Sequence, residues 1–441
     1  MTHAAGRATW KSDIVHIESV GPDVDFRGSA IGNTPITYSD TPIFDAFDRL
    51  RVSNPVGLWD SQLQYDLHRI WWEDVITNNS GNASVAHDAN NVAALLTVEA
   101  SDTIVRQSRY HFRYQPGKSQ LILCTFVMTD PTVELSQKVG YFDERNGIFL
   151  DLDGLTPTIV RRTSVSGSPS DNPVPQSSWS VDTMDGNGVS GISLDFSKSQ
   201  ILFIDLEWLG VGRVRVGFVV DGIIRVVHEF RNANVLPSVY MTTANLPIRY
   251  EMVGTASLSG SHTMKAICSQ VSSEGGIEFP SGLSFSASNG VNKRAVTTRL
   301  PVLSIRPKAT FNSIVNRGGI IPDSFSVFSK DETAFVEVVY GGALTGASFN
   351  SAAADSITEF DVAATAISGG ISFLSDYIPL GDAKKDSGSS FRQIASRYPI
   401  TLNIAGNHPT SPFSDVISIC VTSMVAGATD VAASIGWKET R

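Results

Sequence analysis

Two carboxylates stand two residues apart in a strongly apolar stretch of this chain. Asp205 and Glu207 lie within residues 201–209, which read ILFIDLEWL. Alternate residues of a β-strand point to the same side of a sheet. A pair of carboxylates so placed is the chemistry of glycoside hydrolysis, where one group is nucleophile or base and the other is the general acid. The residue two positions earlier on the same side is Phe203, which can do neither.

This stretch resembles the carboxylate strand of sandwich-fold glucanases, in which Glu, Asp and Glu alternate on one face. The resemblance implies a nucleophile at the first position and a general acid at the third, the retaining arrangement. Phe203 stands in the nucleophile's place, which closes that route. The pattern favours a structural interpretation: strand acids on a solvated face, paired with Arg213 or Arg215 of the next strand.

Other spacings that could bind a ligand are incomplete. Residues 115–119 (QPGKS) are similar to a phosphate loop, but Phe112 holds the place of its first glycine and a strand follows. Residues 151–154 (DLDG) begin like a calcium loop and lack the later ligands, so a hairpin turn is favoured. The eight histidines show no paired ligand spacing, and no serine lies in a G-x-S-x-G motif. The sequence therefore predicts no catalytic residue, no metal site and no cofactor.

Several aromatic residues could form a platform for sugar, because aromatic faces pack on the CH groups of a sugar ring. The tryptophans considered for glycan binding are Trp71, Trp72, Trp179 and Trp208. Their types alone do not separate this role from burial in a core or an interface, and burial is the more common fate of large aromatic residues.

Composition excludes several classes of function. The net charge of −10 argues against a general nucleic-acid binder, which needs a basic surface. Cys124, Cys268 and Cys420 are odd in number and far apart, so no disulfide framework is predicted. No apolar run of about 18 residues is present, so no membrane span is expected. A charged fraction of only 18% is typical of a β-rich protein with surface buried in an assembly.

The elements that would position these residues are strands. Residues 212–230 (GRVRVGFVVDGIIRVVHEF) contain two β-branched runs around Asp221-Gly222, the strongest short-range signal for a hairpin with a type I′ turn. Further strands are predicted at residues 119–128, 147–153, 158–162, 201–209, 248–254, 300–306, 324–329, 335–340, 371–378, 400–403 and 416–424. A loop is predicted at residues 164–191, and short helical turns at residues 44–50 and 390–396.

The predicted fold is all-β, with an extended arm before two sandwiches. Residues 1–60 are dense in turn residues and read as an arm that buries its apolar side chains on a neighbour. Residues 61–275 are predicted to form a lectin-like jelly-roll β-sandwich. Residues 276–298 are predicted to be a linker or a connecting strand with loops, and residues 299–441 a second β-sandwich.

Several segments resemble a family of virion structural proteins from tailed bacteriophages, with relatives in large DNA viruses of algae. They are FDAFDRLRVS at residues 44–53, YQPGKSQ at 114–120, VGYFD at 139–143 followed by Asn146-Gly147, WLGVGRVR at 208–215, NLPIRYE at 245–251 and LTGASF at 344–349. The resemblance covers most of the chain from about residue 44. Members are fibre, spike, baseplate or capsid-associated proteins, so it implies a place in the particle without specifying which. Asp48 stands where relatives tend to carry Gly. The family has no settled catalytic residues to transfer.

We therefore expect a non-enzymatic component of a virion: a tail fibre, spike, baseplate or capsid decoration protein. Its partners would be other virion proteins and further copies of itself, with a homotrimer expected by family analogy. The docking residues predicted for the arm are Phe44, Phe47, Arg49, Leu50, Arg51 and Trp59, with the two arginines pairing to acidic partners. Two alternatives remain open: a lectin module that binds host surface glycan, and a glycan depolymerase using Asp205 and Glu207.

Overall fold

A computed structural model describes residues 14–18, 25–29, 45, 55–275, 284–330, 332–378, 388–393 and 415–440, with the backbone alone for 14–18, 25–29 and 388–393. Five of the predicted docking residues, Phe44, Phe47, Arg49, Leu50 and Arg51, lie outside the described residues. The predicted helical turn at 44–50 lies almost wholly outside them, and the predicted strand at 400–403 does so entirely.

Up to residue 275, the described residues form strands joined by turns. Its strands are β1 (Ile14–Glu18), β2 (Asp25–Ser29), β3 (Val56–Ser61), β4 (Trp72–Thr77), β5 (Ser84–Asp88), β6 (Ala93–Val98), β7 (Thr103–Ser108), β8 (Ser119–Val127), β9 (Leu135–Phe142), β10 (Gly147–Asp153), β11 (Thr156–Thr163), β12 (Ser170–Pro175), β13 (Gln200–Leu206), β14 (Val214–Val220), β15 (Ile223–Phe230), β16 (Ile248–Gly254) and β17 (His262–Glu274). Among the described residues, one 3₁₀ turn, Gln176–Ser178, is the sole helical element.

The described residues after residue 275 also form strands. They are β18 (Ser284–Ser288), β19 (Arg294–Val296), β20 (Leu300–Pro307), β21 (Thr310–Phe311), β22 (Ile314–Val315), β23 (Gly319–Ser329), β24 (Ala334–Tyr340), β25 (Ala343–Thr345), β26 (Asn350–Ser351), β27 (Thr358–Asp361), β28 (Ala366–Ser368), β29 (Ile371–Ile378), β30 (Gly388–Gln393), β31 (Ile417–Ser423) and β32 (Thr429–Thr440).

Two large antiparallel sheets form the first sandwich. One has the order β12-β11-β10-β9-β16-β7-β4, and the other has the order β15-β14-β13-β8-β17-β6-β5, with β3 also paired to β17. Apolar residues alternate along each strand, so that Ile122, Cys124 and Phe126 of β8 enter the space between the sheets. The core between the two layers is the largest apolar cluster in the described chain.

A second pair of sheets follows, with its own core. One has the order β18-β32-β23-β30 with β19 paired to β32, and the other has the order β26-β27-β20-β31-β24-β29. Val327, Ile419 and Trp437 belong to an apolar cluster that is separate from the core of the first sandwich. Two cores of this kind confirm the predicted all-β class with two sandwiches.

Most of the strands predicted from local sequence signals are present. The strands predicted at 147–153, 248–254 and 371–378 are present with those bounds, and the hairpin turns at Asp221-Gly222. Both turn residues have positive φ, 53° at Asp221 and 77° at Gly222, as a type I′ turn requires.

Four predicted boundaries differ from the structure. Strand β3, placed in the arm by its sequence, pairs with β17 in the first sandwich. The segment at 276–298, where a linker or one connecting strand is expected, contains two strands, β18 and β19, which both pair with β32. The predicted loop at 164–191 contains β12, and the predicted helical turn at 390–396 overlaps β30, which pairs with β23. In each case, hydrogen bonding to a strand distant in sequence overrides the local preference.

Candidate functional site

Asp205, the acid on the glucanase-like strand, forms a structural ion pair with Arg215. Asp205 Oδ2 lies 2.6 Å from Arg215 Nη2, and both side chains are almost completely buried. Ser119 Oγ donates a hydrogen bond of 2.9 Å to the other oxygen, Oδ1. The predicted pairing of this strand acid with Arg213 or Arg215 is therefore confirmed for Arg215. The prediction that the acid lies on a solvated face is wrong, because Asp205 has no exposed surface. A carboxylate held in this way is not available to a substrate.

The second acid lies outside the strand, because β13 ends at Leu206. Glu207 contributes its backbone to the local structure: its N–H donates to Arg213 O at 3.0 Å. Its carbonyl oxygen accepts a hydrogen bond of 2.7 Å from Tyr240 Oη. Asp205 is thus buried on the strand while Glu207 sits half-buried in the turn that follows it, so the two do not form an exposed pair.

The tryptophans proposed as a sugar platform lie in or against the core of the first sandwich. Trp72 and Trp179 are 2% and 5% exposed, and Trp71 and Trp208 pack partly buried against the same core. Indole N–H groups are satisfied internally: Trp72 Nε1 donates to Ser61 Oγ at 2.8 Å, and Trp208 Nε1 donates to Met241 O at 3.2 Å. Burial, the more common fate of such residues, is therefore what the structure shows for Trp72 and Trp179, whose ring faces are covered.

Trp59, the one predicted docking residue that the structure describes, is also a core residue. It is 2% exposed, and its ring centroid lies 5.3 Å from that of Trp72 and 5.4 Å from that of Phe112. The aromatic cluster joins β3 to the centre of the sandwich. Trp59 therefore stabilises the body instead of contacting a neighbour.

The two incomplete ligand motifs are turns. In the segment similar to a phosphate loop, Lys118 N donates to Gln115 O at 3.1 Å and Gly117 has φ 84°, after which β8 begins. Asp151 and Asp153 lie on β10, and Gly154 turns the chain into β11. Burial raises the pKa of Asp151 to about 6 despite nearby Lys138 and a hydrogen bond from Ser136. The hairpin interpretation of this motif is confirmed.

Four of the phage-like segments meet at one end of the first sandwich. Tyr114 N donates to Asn245 Oδ1 at 2.9 Å, and the Tyr114 ring lies 5.9 Å from Trp208 in an edge-on contact. Tyr141 Oη donates to Ala244 O at 2.8 Å and accepts a hydrogen bond from Leu246 N at 3.3 Å. The residues that carry the resemblance thus determine how distant strands pack together.

A buried ionic cluster joins the two sandwiches. Arg317, just before β23, places Nη2 3.1 Å from Asp143 Oδ2 and 2.5 Å from Glu144 Oε1 in the turn between β9 and β10. The side chains of Arg317 and Asp143 are 14% and 2% exposed. Burial raises the pKa of Asp143, and Glu144 adds to this, while Arg317 and backbone N–H groups oppose it.

A second ionic contact lies alongside the first. Arg109 Nη2 is 3.5 Å from Asp415 Oδ1, with side chains 7% and 8% exposed. Arg109 also donates a hydrogen bond to the phenolic oxygen of Tyr340, at the end of β24. Glu73 of β4 adds negative charge near the same guanidinium. The joint between the sandwiches is therefore polar and largely closed to solvent.

His111 lies within this joint. It is 4% exposed, and neither ring nitrogen has a hydrogen-bond partner among the described residues. Burial holds the pKa of His111 well below its usual range, and the positive charge of Arg317 lowers it further. A neutral imidazole is therefore required where the two sandwiches meet.

The cysteine thiols and possible metal ligands of the described residues were the remaining candidates for chemistry. Burial raises the pKa of Cys124 and of Cys420 to about 12, as expected for the buried thiols of a core. The three cysteines are free, as their spacing predicts. In the same ranges, no group of three or more His, Cys, Asp or Glu side chains could hold a metal ion, and no helix is long and apolar enough to cross a membrane.

Comparison with known proteins gives similarity in structure alone. No protein-family model and no curated protein matches the chain. The carbohydrate recognition domain of Emp47p is 12% identical with a TM-score of 0.32, covering 50% of this chain and 97% of its own. A β-1,3-glucanase from Mycobacterium marinum is 12% identical with a TM-score of 0.32, and the match covers 50% of this chain and 99% of the glucanase. The exoplasmic/lumenal domain of VIP36, in a Ca²⁺/Man3GlcNAc-bound form, is 13% identical with a TM-score of 0.31. That match covers 52% of this chain and 93% of the VIP36 domain. Similarity this low identifies no function for the chain.

Proposed function

We propose that this protein is a non-enzymatic structural component of a tailed-bacteriophage particle, as a fibre, spike, baseplate or capsid-attached protein. The support is the set of phage-like segments in the sequence, four of which make the packing contacts of Tyr114, Tyr141, Trp208 and Asn245. A segment that determines a fold is expected to resemble its counterpart in proteins built the same way.

The observation that carries the non-enzymatic part of the proposal is the burial of Asp205 against Arg215. A retaining glycosidase needs two accessible carboxyl groups about 5 Å apart across the scissile bond. Here one candidate acid is enclosed in an ion pair and the nucleophile's place is held by Phe203, which is also buried. A depolymerase acting through these residues would have to break that ion pair first.

In this proposal the segment before the first sandwich is the docking element. Phe44, Phe47 and Leu50 would bury their side chains on another virion protein or on a further copy of the chain, and Arg49 and Arg51 would pair with acidic groups there. A closed homo-oligomer, with a trimer as the family analogy suggests, is the expected form. Trp59 is excluded from this set because it belongs to the core.

Truncation tests the proposal directly. Since β3 begins at Val56, the deletion should remove residues 1–54 and leave the first sandwich whole. We expect the truncated chain to remain folded by circular dichroism and to be absent from purified particles in a complementation experiment. Incorporation of the truncated chain at the full-length level would contradict the docking role.

Immunogold electron microscopy of intact particles tests the location. An antibody raised against the second sandwich should label the tail end if the protein is a fibre, spike or baseplate part. It should label the head if the protein decorates the capsid. Absence of the chain from purified particles, measured by mass spectrometry, would contradict a virion role altogether.

A further inference from the structure

An open groove lies beside the connection between β3 and β4. Its volume is about 430 Å³, within the range of small-ligand sites. The side chains that line it are Asp60, Gln62, Gln64, Tyr65, Asp66 and His68. None of the residues that line this groove belongs to the proposed docking residues or to the ionic contacts between the sandwiches.

Alternation along an extended segment gives the groove its polar lining. Ser61 and Leu63 point inward and are 2% and 1% exposed, while Asp60, Gln62 and Gln64 point outward and are exposed. Period-two alternation places these outward side chains along one face. The carboxylate and the two amides therefore present a row of donors and acceptors to one space.

The backbone under this row is firmly held. Trp72 Nε1 binds Ser61 Oγ at 2.8 Å, His87 Nε2 lies 2.7 Å from Leu63 O, and Arg106 Nη2 donates to Leu67 O at 2.5 Å. His68 O accepts hydrogen bonds from the N–H groups of Trp71 and Trp72 at 2.8 and 2.9 Å. A ligand would meet a prearranged surface, which lowers the entropy cost of binding.

The lining side chains are largely uncommitted within the protein. Among the residues that the structure describes, none forms a hydrogen bond with the side chain of Asp60, Gln62 or Gln64, whereas Asp66 Oδ1 accepts one from His68 N at 2.7 Å. Tyr65 is 85% exposed at the edge of the groove. An exposed tyrosine ring among the lining residues offers an apolar face to a ligand that also reaches the polar side chains.

We propose that this groove binds a neutral sugar unit, a hexose or an N-acetylhexosamine of a larger glycan. The ring of Tyr65 would pack on the CH face of the sugar. Gln62 and Gln64 can each donate and accept, which matches hydroxyl groups that do both, and Asp60 accepts two hydroxyl hydrogen bonds. The two carboxylates disfavour phosphate and other anions, and a metal ion would gain nothing from the tyrosine ring. This inference goes beyond the proposed structural role.

Saturation-transfer NMR with the full-length chain tests it. The probes are glucose, galactose, mannose and N-acetylglucosamine at millimolar concentration. We expect transfer to at least one of them, with affinity reduced roughly tenfold in Tyr65→Ala, a change of about 1.4 kcal/mol. Gln62→Ala should weaken the binding of the same sugar.

Tyr377→Ala is the matched control, because Tyr377 is an exposed tyrosine, 62% exposed, on the second sandwich. It should bind as the wild type does. No transfer to any of the four sugars, or equal binding by wild type and Tyr65→Ala, would overturn the proposal. Incorporation of Tyr65→Ala into particles at the wild-type level would separate a failure of sugar binding from a failure of the proposed structural role.

Discussion

Arg317 of the second sandwich lies 3.1 Å from Asp143 of the first, in an ion pair whose carboxylate is almost fully buried. The turn that carries Asp143 holds it in place, because Oδ1 accepts hydrogen bonds from the N–H groups of Arg145 and Asn146, each at 2.7 Å. A charge enclosed in this way is stable only with its partner. The pair therefore couples the folding of one sandwich to the position of the other.

Arg317→Ala should uncouple the two sandwiches. Loss of the guanidinium leaves Asp143 buried without its main counter-charge, and a deletion of this kind costs roughly 3–5 kcal/mol. We expect differential scanning calorimetry to change from one coupled transition to two. Arg306→Ala is the control, since Arg306 is 40% exposed where it pairs with Glu359 and should cost at most about 1 kcal/mol. A single unshifted transition in Arg317→Ala would show that the joint contributes no coupling.

Arg215→Leu should destabilise the first sandwich by roughly 3–5 kcal/mol, because Asp205 would remain buried without its partner. The double variant Asp205→Leu with Arg215→Leu should recover much of that loss, since no isolated charge remains. Urea denaturation of the single and double variants measures the difference. Asp221→Asn, a change at an exposed acid in the turn between β14 and β15, should change stability little. Additive losses in the double variant would contradict the coupling of the pair.

Glu251 should make the protein sensitive to acid. Burial alone would raise its pKa, but Arg249 and Lys138 outweigh burial and lower the pKa from 4.5 to about 2. The stabilisation is present above pH 4.5, where the unfolded chain is also ionised, and is lost as pH falls toward 2. Between pH 6 and pH 3 we expect Glu251 to account for a loss of about 2 kcal/mol.

Denaturation of wild type and Glu251→Gln at both pH values measures this contribution. The stability gap between the two proteins should be large at pH 6 and should shrink by that amount at pH 3. Glu134→Gln, a change at an exposed glutamate, should leave the gap constant. A gap for Glu251→Gln that does not depend on pH would refute the assignment.

His111 should add acid sensitivity in a higher pH range. Burial first, and Arg317 second, hold its pKa well below 6.5, so the folded protein keeps the ring neutral while the unfolded chain protonates. Stability from this group is complete above pH 6.5 and falls as the pH is lowered below 6.5, because only the unfolded chain then takes up the proton. His111→Leu should remove this part of the pH dependence.

The control for His111 is a second buried histidine in the first sandwich. Burial lowers the pKa of His228 to about 4, so it contributes over the same pH range. His228→Asn should therefore flatten the same profile without affecting the joint between the sandwiches. Only His111→Leu should change the coupling of the two calorimetric transitions. Equal pH profiles for wild type and His111→Leu would contradict the prediction.

Local features of the sequence determined the strands that could be predicted, which are fewer than half of those present. Asp221-Gly222 predicts its hairpin because a type I′ turn is a property of those two residues alone. The apolar runs of β10, β16 and β29 predict strands because alternation and β-branching act within a few residues. The ion pair of Asp205 with Arg215 is predictable because β14, which carries Arg215, follows β13 after one turn and pairs with it directly.

Tertiary structure alone decided the roles of residues whose partners are distant in the chain. By type, Trp59 is typical of a docking arm or of a core, and Trp72 of a sugar platform or of a core. The packing of the Trp59 ring on Trp72 and Phe112 makes both of them core residues. The helical turn predicted near residue 390 became β30 because β23, some 60 residues earlier, supplied its hydrogen-bond partners. The joint between Arg317 and Asp143 has no local signature, because its ion pair joins residues that only the packing of two complete sandwiches brings together.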